Sequence, residues 1–134
     1  MKTRSMLTLD DCKKISAAAE AEAKKNNWNV CIAILDDGGH LLHLARMDGA
    51  TPANARIAIE KGRTAAETRR STAMWEERVK AGRTVMLKMP GVTPVQGGLP
   101  IVVDGECIGG VGVSGVQSHE DEQIAKAGID VLKT

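Results

Sequence analysis

The sequence contains no Phe and no Tyr, and Trp28 and Trp75 are its only large aromatic side chains. Modules that grip single-stranded nucleic acid stack bases on such rings, so the composition argues against that class of partner. An excess of one charge sign is also lacking. With 18 Lys and Arg against 17 Asp and Glu, the formal net charge is +1, and no global field draws the chain to nucleic acid or to an anionic membrane. Nothing approaches the roughly 18 uncharged apolar residues of a membrane-spanning helix. The polar stretch Met1–Thr8, followed at once by Asp10 and Asp11, does not resemble a secretion signal. A cytoplasmic location is therefore expected. Cysteine is scarce: Cys12, Cys31 and Cys107 cannot all pair within the chain and show no C-x-x-C spacing. Each stands beside apolar residues, which predicts buried free thiols in a reducing compartment.

The 134 residues, 43% hydrophobic and 26% charged, suit a single domain spanning residues 1–134 with a core of its own. Fourteen glycines point to tight turns and close backbone approach. The charges are unevenly spread. Residues 51–90 carry nine basic and four acidic side chains, whereas residues 91–134 carry two and six. A basic middle and an acidic end suit either solvated helix faces or a subunit interface.

Thr8 and Asp11 form a capping box, and Cys12, Ile15, Ala19 and Ala23 follow at helical spacing, predicting a helix over Leu9–Asn26. The apolar run Val30–Leu35 reads as a buried strand, returned through Asp36-Asp37-Gly38-Gly39 to a second strand over His40–Met47. Thr51-Pro52 opens a helix to about Arg70, with Ala53, Ile57, Lys61, Thr64, Ala65 and Thr68 on one side. A shorter helical piece spans Ser71–Gly82. Pro94, Pro100 and neighbouring glycines mark Gly91–Pro100 as an ordered loop, with a further strand placed at Val92–Gln96. Leu99–Val103 and Glu106–Ser114 form a second hairpin about Asp104-Gly105, and Ser118–Asp121 is a capping box opening a helix over His119–Leu132 with Ile124, Ala127 or Gly128, and Val131 inward. This order of helices and hairpins predicts an α+β domain with an antiparallel sheet covered by helices.

Gly110–Gly115 matches G-x-G-x-x-G, but only 19 residues follow it, too few for the second strand and acidic residue of a dinucleotide site. Its glycines are better read as points where another backbone, a helix or a flat ligand comes close. His40 and His43 lie three apart on a strand and face opposite ways, so they do not chelate one metal. His43 shares a face with Leu41, Ala45 and Met47 and remains a weak axial-ligand candidate, as does His119 in a helix first turn. Glu120-Asp121-Glu122 offers carboxylate oxygens to iron or another hard cation, and three acids in a first turn equally suit the helix macrodipole. Lys61 lies on an otherwise small, apolar stripe and must snorkel, pair with an acid such as Asp48, or meet an anionic ligand. Arg46 and Asp48 end a strand, and a Gly97-Gly98 loop offers backbone donors to an anion. Together these predict a ligand pocket framed by Arg46, Asp48, Lys61, Gly97 and Gly98, with His119 completing it from the same or a neighbouring subunit. The small-residue surfaces also predict a homo-oligomer, dimer at least.

The pieces Leu7-Thr8-Leu9, Asp36–Gly39, Arg46-Met47-Asp48-Gly49-Ala50, Lys61 with Thr64-Ala65, Pro90-Gly91, Gly97–Ile101, Gly109–Gly115 and Glu120-Asp121-Glu122 together resemble the GlcG/HbpS family across about residues 7 to 133. R-M-D-G-A, G-G-x-P-I and G-V-G-V-S-G in this order carry most of the specificity. The resemblance implies a profilin-like α+β fold with a five-stranded antiparallel sheet. It also implies binding or degradation of haem, likeness to the C-terminal domain of PduO-type corrinoid adenosyltransferases, and a place in catabolic gene clusters. Two functions follow as expectations. One is a haem- or tetrapyrrole-binding protein, with propionates at Arg46 or Lys61 and iron at His43 or His119. The other is an enzyme or accessory protein for a small carboxylate, held by Arg46, with Lys61 or His119 moving the proton.

Overall fold

The computed structural model describes residues 1–132. Helix α1 (Leu9–Lys25) is followed by a hairpin of β1 (Cys31–Asp36) and β2 (Leu41–Arg46), then α2 (Pro52–Thr68) and α3 (Thr72–Lys80). A short 3₁₀ segment, Thr84–Lys88, leads through a loop to β3 (Gly98–Val103) and β4 (Glu106–Ser114), and the chain closes with α4 (Ser118–Ile129). The strands are antiparallel in the order β2-β1-β4-β3. Among the described residues no helix is long and apolar enough to cross a membrane.

The sheet separates two cores. Period-two alternation turns Ile32 and Ile34 of β1 and Val111 and Val113 of β4 toward α1 and α4. Cys31, Ala33 and Leu35 turn toward α2, where they meet Ala58 and Ala66. The α1 stripe is the expected one, with Cys12, Ile15, Ala19 and Ala23 fully buried, and the Thr8–Asp11 capping box forms in both directions. Cys12 and Cys31 are buried free thiols, and Cys107 is half-buried.

On the α2 side the strand glycines act by absence. A Cβ on Gly112 would press on the carbonyl of Ala58, one on Gly110 would lie 3.0 Å from the Ala66 nitrogen, and one on Gly62 would lie 2.9 Å from the Gly112 nitrogen. Helix backbone therefore lies directly on strand backbone, the structural role that the glycine motif allows in place of nucleotide binding.

Among the described residues the sheet has four strands, not five. Residues 92–96 form no strand because their donors are spent elsewhere: Thr93 N–H on Thr64 Oγ1, Gln96 N–H on Glu76 Oε1, and Val95 N–H on the Thr93 carbonyl. Pro94 has no donor to offer. Other expectations shift by a residue or a face. Gln117, not Ser118, caps α4, with Glu120 completing the box. The Thr51 hydroxyl accepts from the Asn54 side chain instead of capping α2. The buried side of α2 is centred on Ala58, Lys61, Gly62 and Ala65, leaving Ala53 and Ile57 exposed. A bulge in the β1–β2 pairing sets Leu41 opposite Leu35 while His43 stays opposite Ile34, so Leu41 and His43 do not share a face. In α4, Ile124, Ala125, Gly128 and Ile129 are buried and Val131, in a closing 3₁₀ turn, is exposed.

Candidate functional site

Lys61 leaves the sheet-facing side of α2 and is 2% exposed. Its Nζ donates to the Val113 carbonyl and to Asp121 Oδ2, both at 3.0 Å. An uncompensated buried ammonium would cost several kcal/mol. The compensating carboxylate is Asp121, in the first turn of α4, and not Asp48. Asp121 spends its other oxygen on the Val116 N–H at 3.1 Å. Burial pushes the Asp121 carboxyl above its ordinary range, and the charge and hydrogen bond of Lys61 draw it partly back. The pair ties α2, β4 and α4 together beneath the sheet end.

The Gly97-Gly98 turn closes over this pair. Gly97 adopts φ +133, and a Cβ there would sit 2.8 Å from Lys61 Nζ, so only glycine lets the loop lie on the ammonium. Gly98 donates its N–H to the buried Thr72 hydroxyl at 2.9 Å. That donor is turned into the protein and not toward an anion.

Beyond Gly98, the edge strand β3 and helix α4 bound a groove of about 630 Å³ with Leu99 and Pro100 on one wall, His119, Gln123 and Ala127 on the other, and Glu22 of α1 at its end. His119 is the second residue of α4, two positions before the anchored Asp121. Its ring is exposed and makes no hydrogen bond or ion pair among the described residues. Lys126 also lines the groove, 2.9 Å from Asp130.

The structure thus brings Lys61, Gly97 and Gly98 together, with His119 two residues before Asp121 on α4. Arg46 and Asp48 lie elsewhere. Arg46 ends β2, the opposite edge strand, separated from β3 by β1 and β4, a gap of roughly 14 Å at the usual strand spacing. The Arg46 guanidinium donates to the Ala50 carbonyl at 3.3 Å. His43, in mid-β2, has its Nδ1 closed off from solvent without a partner among the described residues. The role of Asp121 is unexpected from the acidic run alone, yet the sequence carries a signal for it. Asp121, Ile124, Ala125 and Gly128 fall at the i, i+3, i+4, i+7 spacing of a buried face, so one of the three consecutive acids had to point inward.

A family model described as "Haem degrading protein HbpS-like" matches residues 7–130. The chain belongs to this HbpS-like family. It is 53% identical to Protein GlcG of Escherichia coli K12 over 114 residues, 85% of each chain. It is 32% identical to an uncharacterized 15.0 kDa protein of the dhaT-dhaS intergenic region of Citrobacter freundii, over 92% of this chain and 90% of that one. Among solved structures, a double mutant of Streptomyces reticuli HbpS superposes with a TM-score of 0.89 at 32% identity, covering 98% of this chain and 90% of the other. PduOC in complex with haem superposes with a TM-score of 0.84 at 26% identity, covering 93% and 94%. This HbpS-like chain therefore shares its layered α+β architecture with HbpS and with a protein solved in complex with haem.

Proposed function

We propose that this HbpS-like protein binds haem, or a related flat tetrapyrrole, in the groove between β3 and α4. The observation that carries the reading is His119: an exposed imidazole without a partner among the described residues, beside an apolar wall of Leu99 and Pro100. The donor set fits the group. Imidazole nitrogen is a common haem-iron ligand, and aliphatic side chains cover a porphyrin face. Lys126 supplies a cation for a propionate once it exchanges Asp130 for the ligand. Haem, when bound, brings the redox and axial-ligand chemistry of its iron. The chain's part is to hold the imidazole in place, and the buried Lys61–Asp121 pair does this by fixing the first turn of α4. Lys61 and Gly97-Gly98 therefore support the site from beneath.

The test is titration with haemin followed by its Soret band. Saturation at one haem per chain or per subunit interface, with His119→Ala altering the band and weakening binding by about tenfold or more, supports the reading. A featureless, non-saturating shift, identical in His119→Ala, rejects it. The family relationship and the groove support a haem-binding protein.

A further inference from the structure

The 3₁₀ segment Thr84–Lys88 buries Met86 and turns Val85 and Leu87 outward at 59% and 58% exposure. Met89 and Val95 extend the same exposed apolar stretch. Four cations, Arg78, Lys80, Arg83 and Lys88, lie between Glu77 and Asp104, a stretch with no acid. Lys80 is held by Glu76 and Arg78 lies over the Trp75 ring, whereas the side chains of Arg83 and Lys88 have no ionic partner among the described residues. These two cations flank the exposed Val85 and Leu87.

The β3–α4 groove is complementary in kind. Leu99 and Pro100 give it an apolar wall; of its acids, Glu22 is bridged to Lys25 and Asp130 to Lys126, which leaves Glu122 as the acid to be met. The Glu122 carboxylate has no ionic partner among the described residues. Pro100 interrupts the row of N–H groups on edge strand β3, so strand addition there is blocked and contact must be made by side chains. Helices α3 and α4 both pack against β3, which puts segment and groove around the same sheet edge. A two-fold axis beside that edge lets each protomer offer its segment to the other's groove, forming both contacts at once.

We propose that the occupant is a second copy of this chain: Val85 and Leu87 of one protomer close over the β3–α4 groove of the other, with Arg83 and Lys88 facing its acids and Glu122 the central one. The haem assignment rests on the reading above, but the contact between copies does not. If haem binds, the open groove covers one porphyrin face and the partner's Val85 and Leu87 cover the other, so a single protomer holds an incomplete site.

Mass is measured by light scattering on the apo-protein, and haemin titration is run separately. The wild type is expected to be a dimer or larger, Val85→Asp/Leu87→Asp and Arg83→Glu/Lys88→Glu to fall to the mass of one chain, and Glu122→Lys to restore association to Arg83→Glu/Lys88→Glu. Circular dichroism matching the wild type confirms that each variant folds. A monomeric wild type, a Val85→Asp/Leu87→Asp variant that keeps the wild-type mass, or a failure of Glu122→Lys to restore association overturns the proposal. The two readings fail separately. Absence of haem binding with the mass pattern intact removes the ligand and leaves the interface. Haem binding unchanged in folded, monomeric Val85→Asp/Leu87→Asp removes the shared site.

Discussion

Replacing Gly112 by Ala tests whether α2 rests on the sheet backbone to backbone. Gly112 lies in β4 with ordinary strand geometry, so the added methyl meets no backbone strain, only α2. The Ala58 carbonyl carbon would lie 3.0 Å from the new Cβ, and its oxygen, in front of it by about 1.23 Å, must retreat to roughly 3.3 Å for ordinary contact. Helix α2 has to withdraw by about 1.5 Å. A radial gap of even 0.5–1 Å forfeits about a quarter to a half of each dispersion contact, here those of Ala33, Leu35, Ala58 and Ala66. The same withdrawal pulls Lys61 from Val113 and Asp121. Overpacking costs about 1–3 kcal/mol, and loosening the buried pair brings the expected total to about 3–5 kcal/mol, a large part of a typical domain's stability. Gly105→Ala is the control. Gly105 has φ +78 and open space around its Cβ position, so only the backbone term remains, about 1–2 kcal/mol. Urea unfolding at fixed protein concentration reads both. A Gly112→Ala midpoint within about 0.5 kcal/mol of wild type, or Gly105→Ala as the costlier change, refutes the reasoning.

Lys61→Met leaves the Asp121 carboxylate buried without its cation and is expected to cost about 3–5 kcal/mol at neutral pH; thermal or urea unfolding that finds less than about 1 kcal/mol would contradict the burial argument. In the wild type the Asp121 carboxyl is raised by burial, so its contribution is fully present below its unfolded value of 3.8 and lost as pH rises through the raised folded value. The stability of the wild type relative to Asp121→Asn should therefore grow on acidification from neutral pH, and unfolding midpoints that diverge the opposite way count against it. Thr8→Ala removes the α1 cap at a cost of about 1 kcal/mol. Hydrogen bonds from the Thr8 backbone and side chain hold Asp11 below its ordinary range, so its contribution is present above that range and lost as pH falls through the depressed folded value. Urea unfolding in which Thr8→Ala costs nothing, or in which an Asp11→Asn deficit is unchanged under strong acid, would disprove this account.

Local chemistry made most of the elements legible. The Thr8–Asp11 box, Thr51-Pro52 and the Asp-Gly turn at residues 104–105 mark starts and reversals through interactions only a few residues long, and the structure places α1, β4 and both hairpins accordingly. The absent fifth strand was not legible, because its donors are taken by Thr64 and Glu76, residues 20 or more positions away. The side of α2 that faces inward was misjudged for a related reason. Ile57 is more apolar than Gly62, yet the helix turns its small residues inward because the facing strand carries Gly110 and Gly112. Of the candidate site, Lys61 stood out as a cation on an apolar stripe, but its partner lay 60 residues on, in a run of three acids that the helix dipole already explained. Arg46 and Asp48 seemed to belong with it because strand order is not written in any one segment.

The two faces of the sheet differ in mechanical compliance. Where α2 crosses Gly110 and Gly112 of β4, main chain rests on main chain with no side chain between them to rearrange, so that part of the face is a hard stop. The opposite face is built of Ile, Val and Leu side chains that repack at modest cost. Substitutions are therefore absorbed more easily on the side of α1 and α4, and α4 carries one half of the buried ion pair at its first turn and the exposed imidazole two residues before it. Helix α2, holding the other half, is the firm support to which the first turn of α4 is tied.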